Sequence, residues 1–245
     1  MIFVFCEVFD AAALWTADRL HGRGYEVAVV TAPALEAATR WEHRISSSGA
    51  ASVEIELADG RRLSSREPVG VLNRLAFVPT ARLDALGGAD RDYAVQEMNA
   101  FFLSWLHALP GPVLNRPKPQ GLGGNWRHPS AWAVLAGRAG LSLVPYRQSC
   151  ESDPDAAWLP QRPPEAVTVF VVGSHRSVAP PDVPETVREG CLRLAAAAGE
   201  ALLGIDLVPQ NGSDVGWAFL GASPRPDLSL GGEGIVDALA EALRP

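Results

Sequence analysis

Lysine is almost missing from this chain of 245 residues. Lys118 is the sole example, and twenty arginines supply the remaining basic side chains. The stretch from Gly140 to Pro245 has none, so no ammonium point charge is available there to hold a phosphate. Cysteine is scarce too: Cys6, Cys150 and Cys191 are odd in number, far apart and without metal-type spacing, which excludes a disulfide framework and a zinc ribbon. A reducing cytoplasm is the expected compartment. No apolar run approaches the ~20 residues that cross a bilayer. The opening Met1–Glu7 lacks a positive n-region and is read as a first strand, not a signal. The five histidines show no ligand spacing, and no serine lies in a Gly-x-Ser-x-Gly elbow. A net charge of -7 argues against nucleic acid and anionic membrane as partners.

What is present is an ordinary globular composition, 47% hydrophobic and 20% charged, long enough for one large domain or two lobes. Ile2–Phe5 is apolar. Asp10 can cap a helix carrying Leu14, Ala17 and Leu20, closed by Gly22 and Gly24, and Glu26–Val30 follows as a second strand. This strand–helix–strand order predicts a βαβ unit on a parallel sheet. Val53, Ile55 and Leu57 alternate with polar residues before the turn Ala58-Asp59-Gly60, predicting a hairpin to Leu63. Val69–Leu72 and Val113–Leu114 are further strands. Asp90–Leu109 carries Phe101, Phe102, Trp105 and Leu106 at helical spacing. Ser130–Arg138 is a short helix, and Leu141–Val144 is strand-like.

Cys150–Pro164 changes to acids and prolines and is expected to be an exposed connection. Val167–Val172 reads as a buried central strand. Asp182 and Glu185 have capping-box spacing before a helix with Val187, Cys191, Leu194, Ala198 and Leu202 on one face. Ile205–Val208 and Val215–Leu220 are strands around a turn at Gln210-Asn211-Gly212-Ser213. An amphipathic helix with Ile235, Leu239 and Leu243 ends the chain.

Two phrases echo each other: Val71-Leu72-Asn73-Arg74 and Val113-Leu114-Asn115-Arg116. Each is a short apolar strand ending in Asn-Arg. Strand C-terminal ends face the ligand crevice of an open parallel sheet, so the two guanidinium forks suit a carboxylate or phosphate. Equally open is an Arg paired with a neighbouring carboxylate beside a turn-capping Asn. Gly121-Leu122-Gly123-Gly124 leads through Trp126, Arg127 and His128 to a helix N-terminus, which can receive an anion. It has neither the Walker spacing nor the dinucleotide fingerprint, and a plain loop is the blander alternative. The candidate anion- or substrate-binding residues are therefore Asn73, Arg74, Asn115, Arg116, Lys118, Arg127 and His128; no catalytic residue is assigned. Trp15, Trp105 and Trp132 are expected in the core. Trp41, Trp126 and Trp158 are expected to be partly exposed.

The ordered phrases resemble the ATP-grasp superfamily, especially glutathione-synthetase-like and peptide-type carboxylate–amine ligases. Asn115-Arg116-Pro117 and Ala139-Gly140-Leu141-Ser142-Leu143-Val144-Pro145 are similar to the entry segment. Val169-Phe170-Val171-Val172-Gly173 resembles the strand after the lid. Leu203-Gly204-Ile205-Asp206-Leu207 resembles the “giDl” strand, and Trp217–Pro226 the acidic strand that follows. The resemblance implies an α/β fold: an N-terminal βαβ pre-ATP-grasp lobe at 1–112, then a shortened ATP-grasp lobe at 113–245. Only Tyr146 to Ala166 replaces the lid, too short for several strands of ~5–6 residues, with 151–166 as the connection. By the same resemblance Asp206 holds the metal-binding position, whereas Gly221 and Ser223 stand where an acid and an Asn are expected. Hard cations need such oxygens, and phosphoryl transfer depends on charge neutralisation.

The expectation is a degenerate ATP-grasp-like protein without cofactor or ATP turnover. Its ligand is a small molecule or peptide, such as an amino acid, or its partner is an active ATP-grasp ligase in a biosynthetic pathway. A homodimer is the default assembly. The alternative is an active ATP- and Mg²⁺-dependent carboxylate–amine ligase with a rebuilt site, in which Arg147, Arg162 or Arg176 replaces lysine.

Overall fold

The computed structural model describes residues 1–67, 69–145, 162–210 and 216–244. Arg147, Cys150, Trp158, Asp214 and the turn at 211–213 lie outside the described residues, as does the connection up to residue 161. The backbone divides into two units. One comprises Met1–Asn125 with Leu239–Pro245, the other Trp126–Ala238.

In the first unit, β1 (Ile2–Cys6) is flanked by β2 (Val27–Thr31) and β6 (Gly70–Asn73), both parallel to it, and β7 (Val113–Leu114) extends the sheet. β1 is buried along its whole length, as a continuous apolar strand in a parallel sheet must be. Asp10 caps α1 (Ala11–Gly22) by accepting the Ala13 N–H at 3.0 Å. The helix buries Ala12, Ala13, Thr16, Ala17 and Leu20, while Leu14 turns outward; the real stripe is narrower in side-chain size than the apolar pattern suggested.

The sequence reading did not include α2 (Ala32–Glu36), only five residues long, or β3 (Arg40–Ile45). β3 joins β4 (Ala51–Glu56) and β5 (Arg62–Ser64) in an antiparallel sheet, order β3-β4-β5. Val53, Ile55 and Leu63 turn inward, towards the core that also receives α3 (Gly88–Ala108). There Trp41 meets Phe101, Phe102 and Trp105 at ring separations of 5.2–5.4 Å. Edge-on aromatic pairs add about 0.5–1.5 kcal/mol each beyond area burial.

In the second unit, α4 (Pro129–Arg138) and α5 (Glu185–Ala198) accompany an antiparallel sheet. It contains β8 (Val167–Val172), β9 (Arg176–Val178), β10 (Leu202–Pro209) and β11 (Trp217–Ser223), in the order β11-β10-β8-β9. Pro184 takes the α5 N-cap position without a side-chain hydrogen bond, so the Asp182–Glu185 capping box does not form. Gly199 ends α5 with φ 69°, the left-handed turn that glycine adopts without penalty, and Leu202 belongs to β10 rather than the helix face. Leu141–Val144 reduces to a single bridge, Leu143 to Phe219. Pro145 has no N–H with which to extend it. α6 (Gly232–Ala242) closes the chain, with Ile235, Leu239 and Leu243 fully buried.

Candidate ligand-binding site

β1 and β6 run in register, with Phe5 beside Asn73, so their loops emerge together. Asn73 is buried. Its amide donates to the carbonyls of Asn115 at 2.9 Å and Leu122 at 2.6 Å, and its side-chain oxygen accepts the Leu75 N–H at 3.3 Å. One side chain thus ties its own loop to the exit of β7 and to the turn that follows. That turn is closed by reciprocal bonds between Lys118 and Gly121, 2.9 and 3.0 Å long.

Arg74 leads from the same strand end into a fork on Asp10: Nε to Oδ2 at 2.8 Å, and a terminal nitrogen to Oδ1 at 3.0 Å. Their side chains are only 5% and 12% exposed, so this is a buried, bidentate ion pair. Glu7 accepts the Ala76 N–H at 3.1 Å. Beside them, burial pushes the Cys6 thiol up to about 11; Asp10 and Glu7 add to the rise and Arg74 opposes it.

Arg116 turns to the end of α3. It donates to the carbonyls of His107 and Leu109, acceptors left bare at a helix C-terminus, and of Gly111 just beyond it, at 2.8–3.0 Å. Asn73 and Asn115 are therefore brought together with the Lys118 turn, while Arg74 and Arg116 are engaged internally and apart. Lys118 is half-buried, and no carboxylate among the described residues pairs with its ammonium.

In the second unit, Arg127 donates to the Ala198 carbonyl at 3.0 Å, and its guanidinium lies 5.5 Å from the Trp132 ring centre. His128 is the N-cap of α4. Its Nδ1 accepts the Ser130 N–H at 3.3 Å and lies 2.8 Å from the Ser130 hydroxyl. Trp126, exposed, is edge-on to the His128 ring. Asp206 on β10 accepts the Thr168 hydroxyl at 2.6 Å and meets Arg162 at 3.5 Å. Arg162 also donates to the Ala166 carbonyl and to Thr168 Oγ1.

No protein-family model and no curated protein matches the chain. Solved structures do. Macrocyclase MdnC from Microcystis aeruginosa MRC, bound with precursor peptide MdnA, superposes with a TM-score of 0.65 at 14% identity over 92% of each chain. A RiPP-associated ATP-grasp ligase from Chryseobacterium gregarium, in complex with ADP and a leader and core peptide, gives 0.65 at 10% identity, over 98% of this chain and 96% of that one. ATP-grasp ligase PsnB, complexed with minimal precursor, gives 0.61 at 17% identity over 98% of each. The chain has the ATP-grasp fold.

Whether Mg²⁺ fits beside Asp206 depends on the oxygen donors around it. Across the β10–β11 ladder Asp206 faces Gly221, and Gly204 faces Ser223. The carboxylate thus looks onto a residue with no side chain, and its neighbours are a hydroxyl and a guanidinium. Mg²⁺ demands near-octahedral oxygen ligation; one carboxylate already engaged by a cation does not fit that need. Among the described residues no group of three His, Cys, Asp or Glu side chains could hold a metal ion, and no helix is long and apolar enough to cross a membrane.

Thr168 was not among the site residues read from the sequence, and Arg162 was named there only as a stand-in for lysine. Thr168 stands opposite Asp206 in the β8–β10 register, a pairing that only the folded sheet reveals.

Proposed function

We propose that this chain is a degenerate ATP-grasp protein that binds a peptide in a biosynthetic pathway and does not turn over ATP. The observation that carries the reading is the Asp206 carboxylate, held by Thr168 and Arg162 and facing Gly221. A guanidinium beside the remaining acid supplies positive charge where ligase chemistry would need a divalent cation. Phosphoryl transfer relies on positioning and charge neutralisation by such ions, and a planar Arg fork does not replace them. The absence of lysine after Lys118 supports the same reading.

The peptide class is supported by the fold neighbours MdnC and PsnB, each captured with a precursor peptide or precursor. In the first unit we assign Lys118 to an anionic group of the ligand, because Arg74 and Arg116 are engaged internally. Docking onto an active ATP-grasp ligase is compatible with the same surface.

Titration calorimetry with Mg-ATP tests the reading, with no saturable heat expected. Micromolar binding, followed by ADP release on adding an amine and an acid, overturns it and establishes the active ligase.

A further inference from the structure

The C-terminal ends of β1, β6 and β7 lie side by side, in that order, and the residues that leave them share one rim of the first unit. Two of those residues are large, apolar and bare. Phe9, in the turn between β1 and α1, is 94% exposed, and Phe77, in the segment after β6, is 77% exposed. Burying a phenylalanine is among the larger gains open to a folding chain, and Phe9 has a local means to it. It precedes the N-cap Asp10, and Leu14 is the fourth residue of α1; these are the two positions that pack together in a hydrophobic staple. The staple does not close, since Leu14 also stays exposed. Phe77 stands out between Leu75 and Val78, both buried.

The rim beneath these rings is firmly tied. The Asp10 N–H donates to the Glu7 carbonyl at 3.2 Å and closes the turn that carries Phe9. Glu7 holds the Ala76 N–H, and the Arg74–Asp10 fork clamps the same two loops. Asn73 ties in the third through the carbonyls of Asn115 and Leu122. Rings carried on such a base lose little freedom when a ligand covers them. Charge gives the rim a direction. Glu7 and Asp10 stand at the β1 end and turn a ligand carboxylate away. The Lys118 ammonium stands at the β7 end, where no described carboxylate pairs with it.

We infer that Phe9 and Phe77 form a platform for an aromatic or branched aliphatic side chain of the peptide ligand, whose Asp or Glu reaches Lys118. This rests on the peptide reading above and names the part of the peptide that is recognised. β6 alone separates β1 from β7, so the two ends of the rim are two strand spacings apart, about 10 Å. An extended chain covers that distance in about three residues at ~3.3 Å each. The apolar residue and the acid therefore stand about three positions apart in the ligand. Exposed aromatic anchors beside a charged rim are the arrangement from which a few residues draw most of a binding energy.

Selection of random peptides displayed on phage against the full chain, without nucleotide, tests this. Recovered peptides are expected to carry an aromatic, leucine or isoleucine residue about three positions from Asp or Glu. A recovered peptide, synthesised and followed by fluorescence anisotropy, should bind Phe9→Ser and Phe77→Ser about tenfold or more weakly than wild type. Both variants should unfold at the wild-type urea concentration, because the rings they remove are exposed. Exchanging the peptide's acid for its amide should weaken binding to wild type about tenfold and leave binding to Lys118→Gln unchanged, a coupling that a purely structural lysine would not show. Recovered peptides that lack the apolar–acid pair, or that bind Phe9→Ser and Phe77→Ser as tightly as wild type, overturn the platform and leave a peptide ligand elsewhere on the chain standing. A change in sedimentation of those variants also overturns it, because the rings then belong to a contact between copies. Recovery of no peptide overturns the platform and the peptide reading together.

Discussion

Replacing Arg74 by leucine removes one half of a buried ion pair, at 5% and 12% side-chain exposure. Asp10 then loses two charge-assisted hydrogen bonds, of 2.8 and 3.0 Å, and keeps the Ala13 N–H at 3.0 Å. Breaking a buried pair from one side costs about 3–5 kcal/mol, since a charge stays buried without its partner. The surviving cap bond places this site at the lower end, about 3 kcal/mol. At roughly 2–4 °C per kcal/mol for a protein of this size, the melting temperature should fall by about 6–12 °C. The pair itself is a different matter. Asp10→Ser/Arg74→Leu keeps an N-cap oxygen for α1 and buries no charge, so it should lie within about 1 kcal/mol of wild type. Urea unfolding at neutral pH, followed by far-UV circular dichroism and by the fluorescence of buried Trp105, measures all three proteins. If Arg74→Leu costs less than about 1 kcal/mol, or if the double variant is no more stable than Arg74→Leu, uncompensated charge is not what the site avoids.

Other perturbations have equally definite outcomes. A Cβ at Gly70 would clash with the Leu243 carbonyl oxygen, so Gly70→Ala should cost about 1–3 kcal/mol in the same urea assay. Gly221→Glu meets nothing within 4 Å at its Cβ; it should fold normally and bind Mn²⁺, seen by electron paramagnetic resonance, where the wild type does not. Arg116→Ala strips three carbonyls at or just beyond the end of α3 of their donor and should lower stability by about 1–3 kcal/mol. Burial raises Cys6 to about 11 and Cys191 to about 12, from an ordinary 9.0. The folded state therefore keeps two protons that the unfolded chain gives up above 9. The stability this represents is intact below 9 and is lost as pH rises towards 11 and 12. Denaturation at several pH values should show Cys6→Ala/Cys191→Ala flattening that decline.

The parallel strands of the first unit, β8 and the long helix α3 were legible because apolar periodicity marks them over enough residues. β3 was not, because Arg-Trp-Glu-His-Arg-Ile offers only two large apolar side chains, and the aromatic core beneath it is assembled from α3, far along the chain. Asp10 was readable as a cap from its place before a helix. Its grip on Arg74 spans 64 positions and needs β1 beside β6, which no local pattern records. The turn of Arg116 back to α3 had a weak local cue: a cation just beyond the Gly111-Pro112 break, where bare carbonyls collect. Asp206 was found by its phrase, but the hydroxyl and guanidinium that occupy it come from a different strand and from the segment before it.

The last helix begins with one unit and finishes with the other, and Leu239–Pro245 are counted with the N-terminal residues. Leu243 lies so close to Gly70 that no methyl group could be inserted between them. A cut at Asn125 therefore does not release a self-sufficient N-terminal piece: it takes away the stopper on the start of β6. Anyone grafting the second half of a homologue onto this protein would have to retain the native final seven residues, or accept a hole at the foot of the parallel sheet.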